Sequence, residues 1–295
     1  MLFWTSLKVA LKSLMANKLR SFLATLGIII GVGAVISMLA LASGAKKSIM
    51  DRVASMGTNV LIVRPGVGRH RGIRGGSRQS LKLTDAEAIL KEVDGVSQVA
   101  PVVSGSAQVK YMNENTQVAI TGTTITYFPI RAFSVEKGRC FTEQEVESMA
   151  HVAIMGPTTV ETLFGESSPL GETIKIKGIN FKVVGVLKSK GDQGWYNPDD
   201  QVIIPYTVAM KQVIGVDYLR EIDVQAKEAD LLDTVQVKTE KVLRKTHRIA
   251  AGADDDFHVR NQADALAMAN DVTRTFTVLL GGIASISLLV GGIGI

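Results

Sequence analysis

The sequence predicts an α+β extracytoplasmic domain carried between two transmembrane α-helices. Three observations lead there. Ser21 to Ala45 runs 25 residues without a charge, closed by Arg20 on one side and Lys46-Lys47 on the other, and a helix needs only about 20 apolar residues to cross the hydrocarbon core of a bilayer. Thr275 to Ile295 is a second uncharged run, opening directly after Arg274. The residues between, 46–274, alternate short strand-like and helix-like segments with no long strand–helix–strand series, which points to α+β rather than a nucleotide-binding parallel sheet.

Residues 1–20 place Trp4, Leu7, Leu11 and Leu14 at spacings of three and four, with Lys8, Lys12, Lys18 and Arg20 among and after them. This pattern predicts a basic amphipathic helix on the cytoplasmic side, lying on anionic lipid or packed against a cytoplasmic partner. Basic residues without acids before the first span favour a cytoplasmic amino terminus, although Lys46, Lys47 and Arg52 past it weigh the other way. Ala40-Leu41-Ala42 resembles a signal cleavage site, but the apolar run is longer than the roughly 7–15 residues of a signal h-region. Within residues 21–45, Gly27 and Gly31 leave one side of the helix small; Gly281, Gly282, Ser285 and Gly291 do the same in residues 275–295. Either these are helix-packing surfaces or they reflect the higher glycine content of membrane helices. The second run has no polar boundary after Ile295, so a longer membrane protein is expected.

Lys46 to Ser55 continues the first span as a helical stalk, and Asn59 to Arg64 reads as a strand. Residues 65–78 are Gly-rich and basic without periodicity and predict a mobile loop, whose Arg69, Arg71 and Arg74 are candidate contacts for an anionic partner. Thr84-Asp85-Ala86-Glu87 predicts a capping box and a helix ended by Gly95. Val96 to Val103 follows as a strand, then a hairpin of 108–112 and 116–121 across a three-residue connection. From 130 to 215 short strands dominate, at 152–155, 172–176, 180–187 and 201–204, with one helix at 158–164, and predict a separate β-rich lobe. Leu219 to Gln225 alternates Ile222 and Val224 with acids, a half-buried strand; 229–247 reads as a long helix, 256–260 as a last strand, and Gln262 onward as helix into the second span.

Chemistry is sparse in this sequence. A net charge of +5, spread without interleaved aromatics, argues against nucleic acid. One cysteine, Cys140, excludes an internal disulfide framework. His70, His151, His247 and His258 show no metal-ligand spacing, and Asp254-Asp255-Asp256 lacks the alternating acids of a calcium loop, reading instead as a solvated turn. No phosphate-binding loop, nucleophile elbow or zinc-protease motif occurs. Trp195 and Tyr196, beside Gly191 and Gly194, form an aromatic loop that is either a partner contact or locally packed.

Four segments in order carry a family resemblance: NKLRSFLATLGIIIGVGAVISMLAL at 17–41, GTNVLIVRPG at 57–66, the VAIMG, LFG and PLGETIKIKGINFKVVGV series through 152–186, and VRNQADAL followed by GGIASISLLVGGIGI. Together they resemble the permeases of MacB-type (FtsX-like) ABC transporters over nearly the whole chain. The resemblance implies a porter-like lobe of about 46–129 plus 216–274 and an inserted β-rich lobe of about 130–215. It also implies a homodimer whose shape changes outside the membrane are driven by an ABC ATPase using ATP and magnesium, with no cofactor in this chain and no catalysis by it. Because Met1 opens into the amphipathic helix, the ATPase is expected on a separate subunit. A periplasmic adaptor and an outer-membrane channel are the further partners implied. Export of an antibiotic, peptide or other amphiphile is the leading expectation, with lipoprotein extraction, control of a cell-wall hydrolase, or a two-span sensory receptor as alternatives.

Overall fold

The computed structural model describes residues 4–6, 8, 15–16, 18–55, 59–70, 73–77, 79–191, 197–261, 271, 274–279, 281–282 and 285–286. The chain divides into two units, Met1–Asp51 with Ala265–Ile295, and Arg52–Asp264.

α1 (Lys18–Ser55), all but its last four residues in the first unit, runs unbroken for 38 residues, so the helix continues past Ala45 as expected. Phe22, Ile29, Ile36 and Leu41 stand exposed along it, and Phe276, Val278, Leu279 and Ile286 along the helical residues near the carboxy terminus. Among the described residues, no helix is long and apolar enough to cross a membrane. The expected span rests on the full sequence, which carries no charge from Ser21 to Ala45. Described positions at 4–6, 8 and 15–16 are helical; most of the expected stalk at 262–274 lies outside the described residues.

The second unit is built on a ten-stranded mixed sheet. It opens with β1 (Val60–Pro65). The segment read as a loop forms a two-stranded antiparallel ribbon instead, β2 (Val67–His70) and β3 (Ile73–Ser77). Pairing between the two strands satisfies backbone groups that a Gly-rich stretch would otherwise leave to water. α2 (Leu83–Glu92) begins one residue before the expected box. Its amino end is held by the Asp85 carboxylate, which accepts from the Lys82 N–H at 2.8 Å. A lysine side chain has no acceptor, so the reciprocal half of a capping box is missing.

β4 (Val96–Tyr111) fuses two segments that read as separate strands, and with β5 (Glu114–Thr123) it makes a hairpin. Tyr111 pairs with Glu114, so the connection is two residues, not three. Met112 takes the left-handed conformation, φ 50°, in that turn. Then come α3 (Tyr127–Ile130), β6 (Val135–Gly138), α4 (Glu143–Glu147), β7 (Val152–Met155), α5 (Pro157–Phe164), β8 (Thr173–Ile176), β9 (Ile179–Leu187), β10 (Gln201–Pro205) and α6 (Tyr206–Val208), which runs into a π turn at Ala209–Val213. β7, α5 and the β8–β9 hairpin follow the sequence reading closely, and Lys177-Gly178 turns that hairpin with both φ angles positive. β11 (Glu221–Ala226), a 3-10 turn at Ala229–Leu231, α7 (Leu232–Thr246) and β12 (Phe257–Asn261) complete the unit.

Strand order is β12-β1-β11-β4-β5-β10-β7-β9-β6, with β8 joined to β4 and β9. β4 is the shared member: Val96–Val102 pairs with β11, and Val103–Tyr111 pairs with β5. The strands of 130–215 are thus completed by β4 and β5, since β10 lies parallel to β5 and β8 pairs β4. One core gathers Leu61, Ile89, Val99, Ile222, Val235 and Leu243 between sheet and helices. A second packs Val109, Ile120, Leu163, Ile174, Phe181 and Val208. A third joins Val60 and Val102 to Phe128, Phe141, Ile154 and Ile203, tying the early strands to the later ones.

At Gly138, φ is +84°, and an added Cβ would stand 2.3 Å from the Val184 carbonyl oxygen. Gly138→Ala is therefore expected to destabilise the body by more than about 1 kcal/mol, read as a lower midpoint in thermal denaturation of the detergent-solubilised chain.

Candidate functional site

β11 is the strand whose chemistry the sequence pattern misjudged. The alternation of Ile222 and Val224 with acids predicted one wet face, yet Asp223 is fully buried. β11 lies between β1 and β4 inside the sheet. α3 packs on β11 and β4, and the core that includes Ile89 and Val235 takes Ile222 and Val224. A carboxylate in that position needs a partner, and Arg131, the residue after α3, supplies it. Its Nε donates to Asp223 at 2.5 Å and its Nη2 to the other carboxylate oxygen at 2.6 Å. The same Nη2 reaches Glu221 at 2.7 Å, and Arg64 of β1 donates to Glu221 at 2.8 Å. Burial pushes the Asp223 carboxyl up to about 6 against the pull of Arg131. The Arg131 guanidinium is held charged above its ordinary range: burial opposes this, but Asp223 and Glu221 outweigh it.

Arg131 is also tied to Lys190, a few residues before the aromatic pair singled out from the sequence. Lys190 donates from Nζ to the Arg131 carbonyl at 2.6 Å and lies 4.1 Å from the centre of the Phe133 ring. Burial, reinforced by the Arg131 charge, lowers its pKa to about 8. Next to it the buried Asp199 carboxylate accepts from the Lys190 N–H at 2.9 Å, the Gly191 N–H at 2.9 Å and the Ser189 hydroxyl at 2.5 Å. Asn197 accepts from the Asp199 N–H at 2.9 Å. Residues 189–191 and 197–199 are thereby tied to one another. From this anchor a continuous set of polar contacts leads through Lys190, Arg131, Asp223 and Glu221 to Arg64 on β1, the first strand after α1. Such a set holds elements in register. Among the described residues, no cluster of His, Cys, Asp or Glu is placed to hold a metal ion.

Elsewhere the turn at Asp254–Asp256 does more than face solvent. Asp256 bonds His247 Nδ1 at 2.7 Å while Asp85 bonds Nε2 at 3.2 Å, and Asp255 pairs with Arg244. Burial pulls the His247 pKa down, but the bonds to Asp256 and Asp85 outweigh it and raise it above the ordinary value. The sign follows: stability from this histidine is fully present below the unfolded value of about 6.5 and is lost as pH rises through the higher folded value. The melting temperature of the chain is expected to fall with rising pH in that window, and His247→Gln to flatten the fall. Cys140 is half-buried and burial raises its thiol pKa, in keeping with a packed side chain.

Of the residues chosen from the sequence, Gly31 is buried and Gly27 half-buried in α1. A Cβ on Gly281 or Gly282 would meet nothing within 4 Å, and Ser285 spends its hydroxyl on the Gly281 carbonyl at 2.8 Å. Arg69 and Arg74 are register partners across the β2–β3 ribbon. Gly291, Arg71, Trp195 and Tyr196 lie outside the described residues. Arg131, Asp223, Lys190 and Asp199 went unrecognised. The available signal was a single charge set in each of two apolar contexts, Phe128-Pro129-Ile130-Arg131-Ala132-Phe133 and Ile222-Asp223-Val224, of opposite sign.

Comparison with known proteins matches residues 21–242 to the MacB-like periplasmic core domain family. Relatives include the macrolide export ATP-binding/permease protein MacB of Bdellovibrio bacteriovorus, 39% identical over 96% of this chain and 44% of its own length. That of Chlorobium phaeobacteroides is 41% identical over 92% of this chain and 42% of its own length. The chain thus spans under half the length of these relatives. Among solved structures, the periplasmic region of MacB from Actinobacillus actinomycetemcomitans superposes with a TM-score of 0.63 at 21% identity, over 75% of this chain and 97% of that one. The extracellular domain of the noncanonic ABC-type transporter YknZ from Gram-positive bacteria gives 0.57 at 24% identity, over 69% and 100%. These two likenesses concern the fold, a mixed-sheet α+β body. By the family match and by sequence identity across almost its whole length, this chain is a member of the MacB-like periplasmic core domain family, within the ABC transporter permeases.

Proposed function

We propose that this chain is the membrane-embedded permease part of a MacB-like ABC transporter, in which residues 21–45 and 275–295 cross the inner membrane and residues 46–274 work outside the cytoplasm. ATP hydrolysis by an associated ATPase changes how two copies pack, and the outer body moves an amphiphilic cargo without a channel through the bilayer. The observation that carries the reading is α1: one helix with a charge-free stretch of 25 residues, large apolar side chains exposed, and a helical backbone that persists to Ser55, shortly before β1. At 1.5 Å per residue that stretch is roughly 37 Å long, and exposed apolar surface of this extent requires cover. Buried Gly31 and half-buried Gly27 support close helix contacts within that layer. The buried ion cluster supports a body that moves as a rigid piece, because paired charges inside a fold tolerate little displacement.

The test is export in a host lacking its own efflux systems, with the intact gene and its ATPase supplied and macrolide, peptide and lipoprotein cargoes each followed. Energy-dependent export of one of them that is lost on inactivating the ATPase supports the reading. Full cargo movement with an inactive ATPase overturns it.

A further inference from the structure

We propose that the outward face of strands β5, β4, β8 and β9 is a docking surface for an acidic protein segment. Residues directly opposite each other in a sheet share a face, and the register places Ser106 beside Ala119, Gln108 beside Gln117, and Lys110 beside Asn115. Lys110 also faces Lys175 directly across β4 and β8, Lys175 faces Asn180, and Thr173 faces Lys182. Each of these outward positions is exposed, while Val109, Val118, Ile174, Ile176 and Phe181 at the alternating positions are buried in the core behind them. Four adjoining strands therefore present lysines, amides and small side chains, and no carboxylate. Glu114 sits opposite Tyr111, and Glu172 accepts the Tyr111 hydroxyl, so both belong to the other face. Among the described residues, Lys110, Lys175 and Lys182 have no ionic partner. An open cleft of about 390 Å³ runs along this face, lined by Gln108, Lys110, Gln117, Lys175 and Lys177.

The Lys110–Lys175 pairing carries the inference. Like charges directly opposite in a sheet destabilise it, and a single carboxylate at either position would remove the repulsion. An arrangement that weakens the free protein is relieved when an anionic partner supplies the missing charge. The chemistry of the face narrows that partner. No outward position is aromatic, so there is no platform on which bases could stack. None carries a large apolar side chain to insert below lipid headgroups. Gln108 donates to Asn115 at 2.8 Å and Gln117 to Ser106 at 3.2 Å, and the remaining donors and acceptors of these amides and of Asn180 suit a polypeptide backbone with acidic side chains. This surface belongs to the outer body itself and does not depend on the transport reading.

The full chain, held in neutral detergent, is titrated with a fluorescein-labelled glutamate-rich peptide. Salt-sensitive binding is expected, and Lys110→Gln with Lys175→Gln and Lys182→Gln should weaken it at least about tenfold. Lys91→Gln with Lys227→Gln and Lys241→Gln removes the same charge from α2, the residue after β11 and α7, and should leave it unchanged. No binding, or equal loss in both triple variants, overturns the proposal. So does equal or better competition by vesicles of anionic lipid or by an oligonucleotide. Lys175→Glu is expected to abolish binding while raising the melting temperature; an unchanged or lower melting temperature would remove the like-charge argument.

Discussion

Arg131→Met is expected to destabilise the body by about 3–5 kcal/mol, because it leaves Asp223 as an unpaired carboxylate in a dry interior. For a unit of this size that corresponds to a melting temperature lower by roughly 10 °C, readable by circular dichroism on the detergent-solubilised chain. The loss belongs to the orphaned charge more than to the pair. Arg131→Met combined with Asp223→Leu removes both ends of the main contact and should recover most of the stability, since apolar replacement of a buried pair is often neutral or favourable. Glu221 keeps Arg64 as its partner in that double variant. Arg131→Lys should fall between, because an ammonium is a point donor and cannot engage both Asp223 oxygens side by side while reaching Glu221. Arg131→Met costing less than about 1 kcal/mol, the range of a surface pair, would refute this account of the site.

The same cluster sets a pH dependence with a defined sign. Asp223 titrates near 6 in the folded chain, against about 3.9 unfolded. The folded state therefore holds the proton more tightly, and the contribution of this group to stability falls as pH rises from about 4 through 6. Removing Arg131 takes away the largest influence lowering that value, leaving only Arg64. The deficit of Arg131→Met should consequently shrink on acidification, as Asp223 becomes neutral and needs no partner. His247 acts in the next window up, above about 6.5, so its variant separates the two effects.

Local pattern made most of the outer body legible. β7 was readable from its four consecutive apolar residues, and α5 from a short helical segment stopped at Gly165. These elements are fixed by their own residues. What the pattern could not supply is whatever depends on distant partners. β4 reads as two strands because its halves pair with β11 and β5, which meet only after folding. Asp223 reads as solvent-facing because alternation in a strand shows that two faces differ, not that the second is wet. Its cover, α3 and Arg131, lies about 90 residues earlier. The β2–β3 ribbon was missed for the opposite reason: glycines carry no side-chain period, so a Gly-rich hairpin and a Gly-rich loop look alike.

Ile30→Asp is expected to have the largest effect on the chain as a membrane component. Ile30 lies near the middle of the charge-free stretch and is exposed on α1. An aspartate at the centre of an inserted helix costs about 2.5–3.5 kcal/mol, close to two orders of magnitude in the insertion equilibrium. The carbonate-resistant membrane fraction should drop sharply, while Ile30→Leu, equally apolar, should leave it unchanged. Gly31→Leu separates lipid contact from helix packing. It adds no polarity, so insertion should survive, but the buried small site at position 31 is filled, and crosslinking between neighbouring helices should change. Equal membrane fractions for the native chain and Ile30→Asp would mean that residues 21–45 meet protein rather than lipid, and the exposed apolar side chains of α1 would then require a protein partner along their whole length.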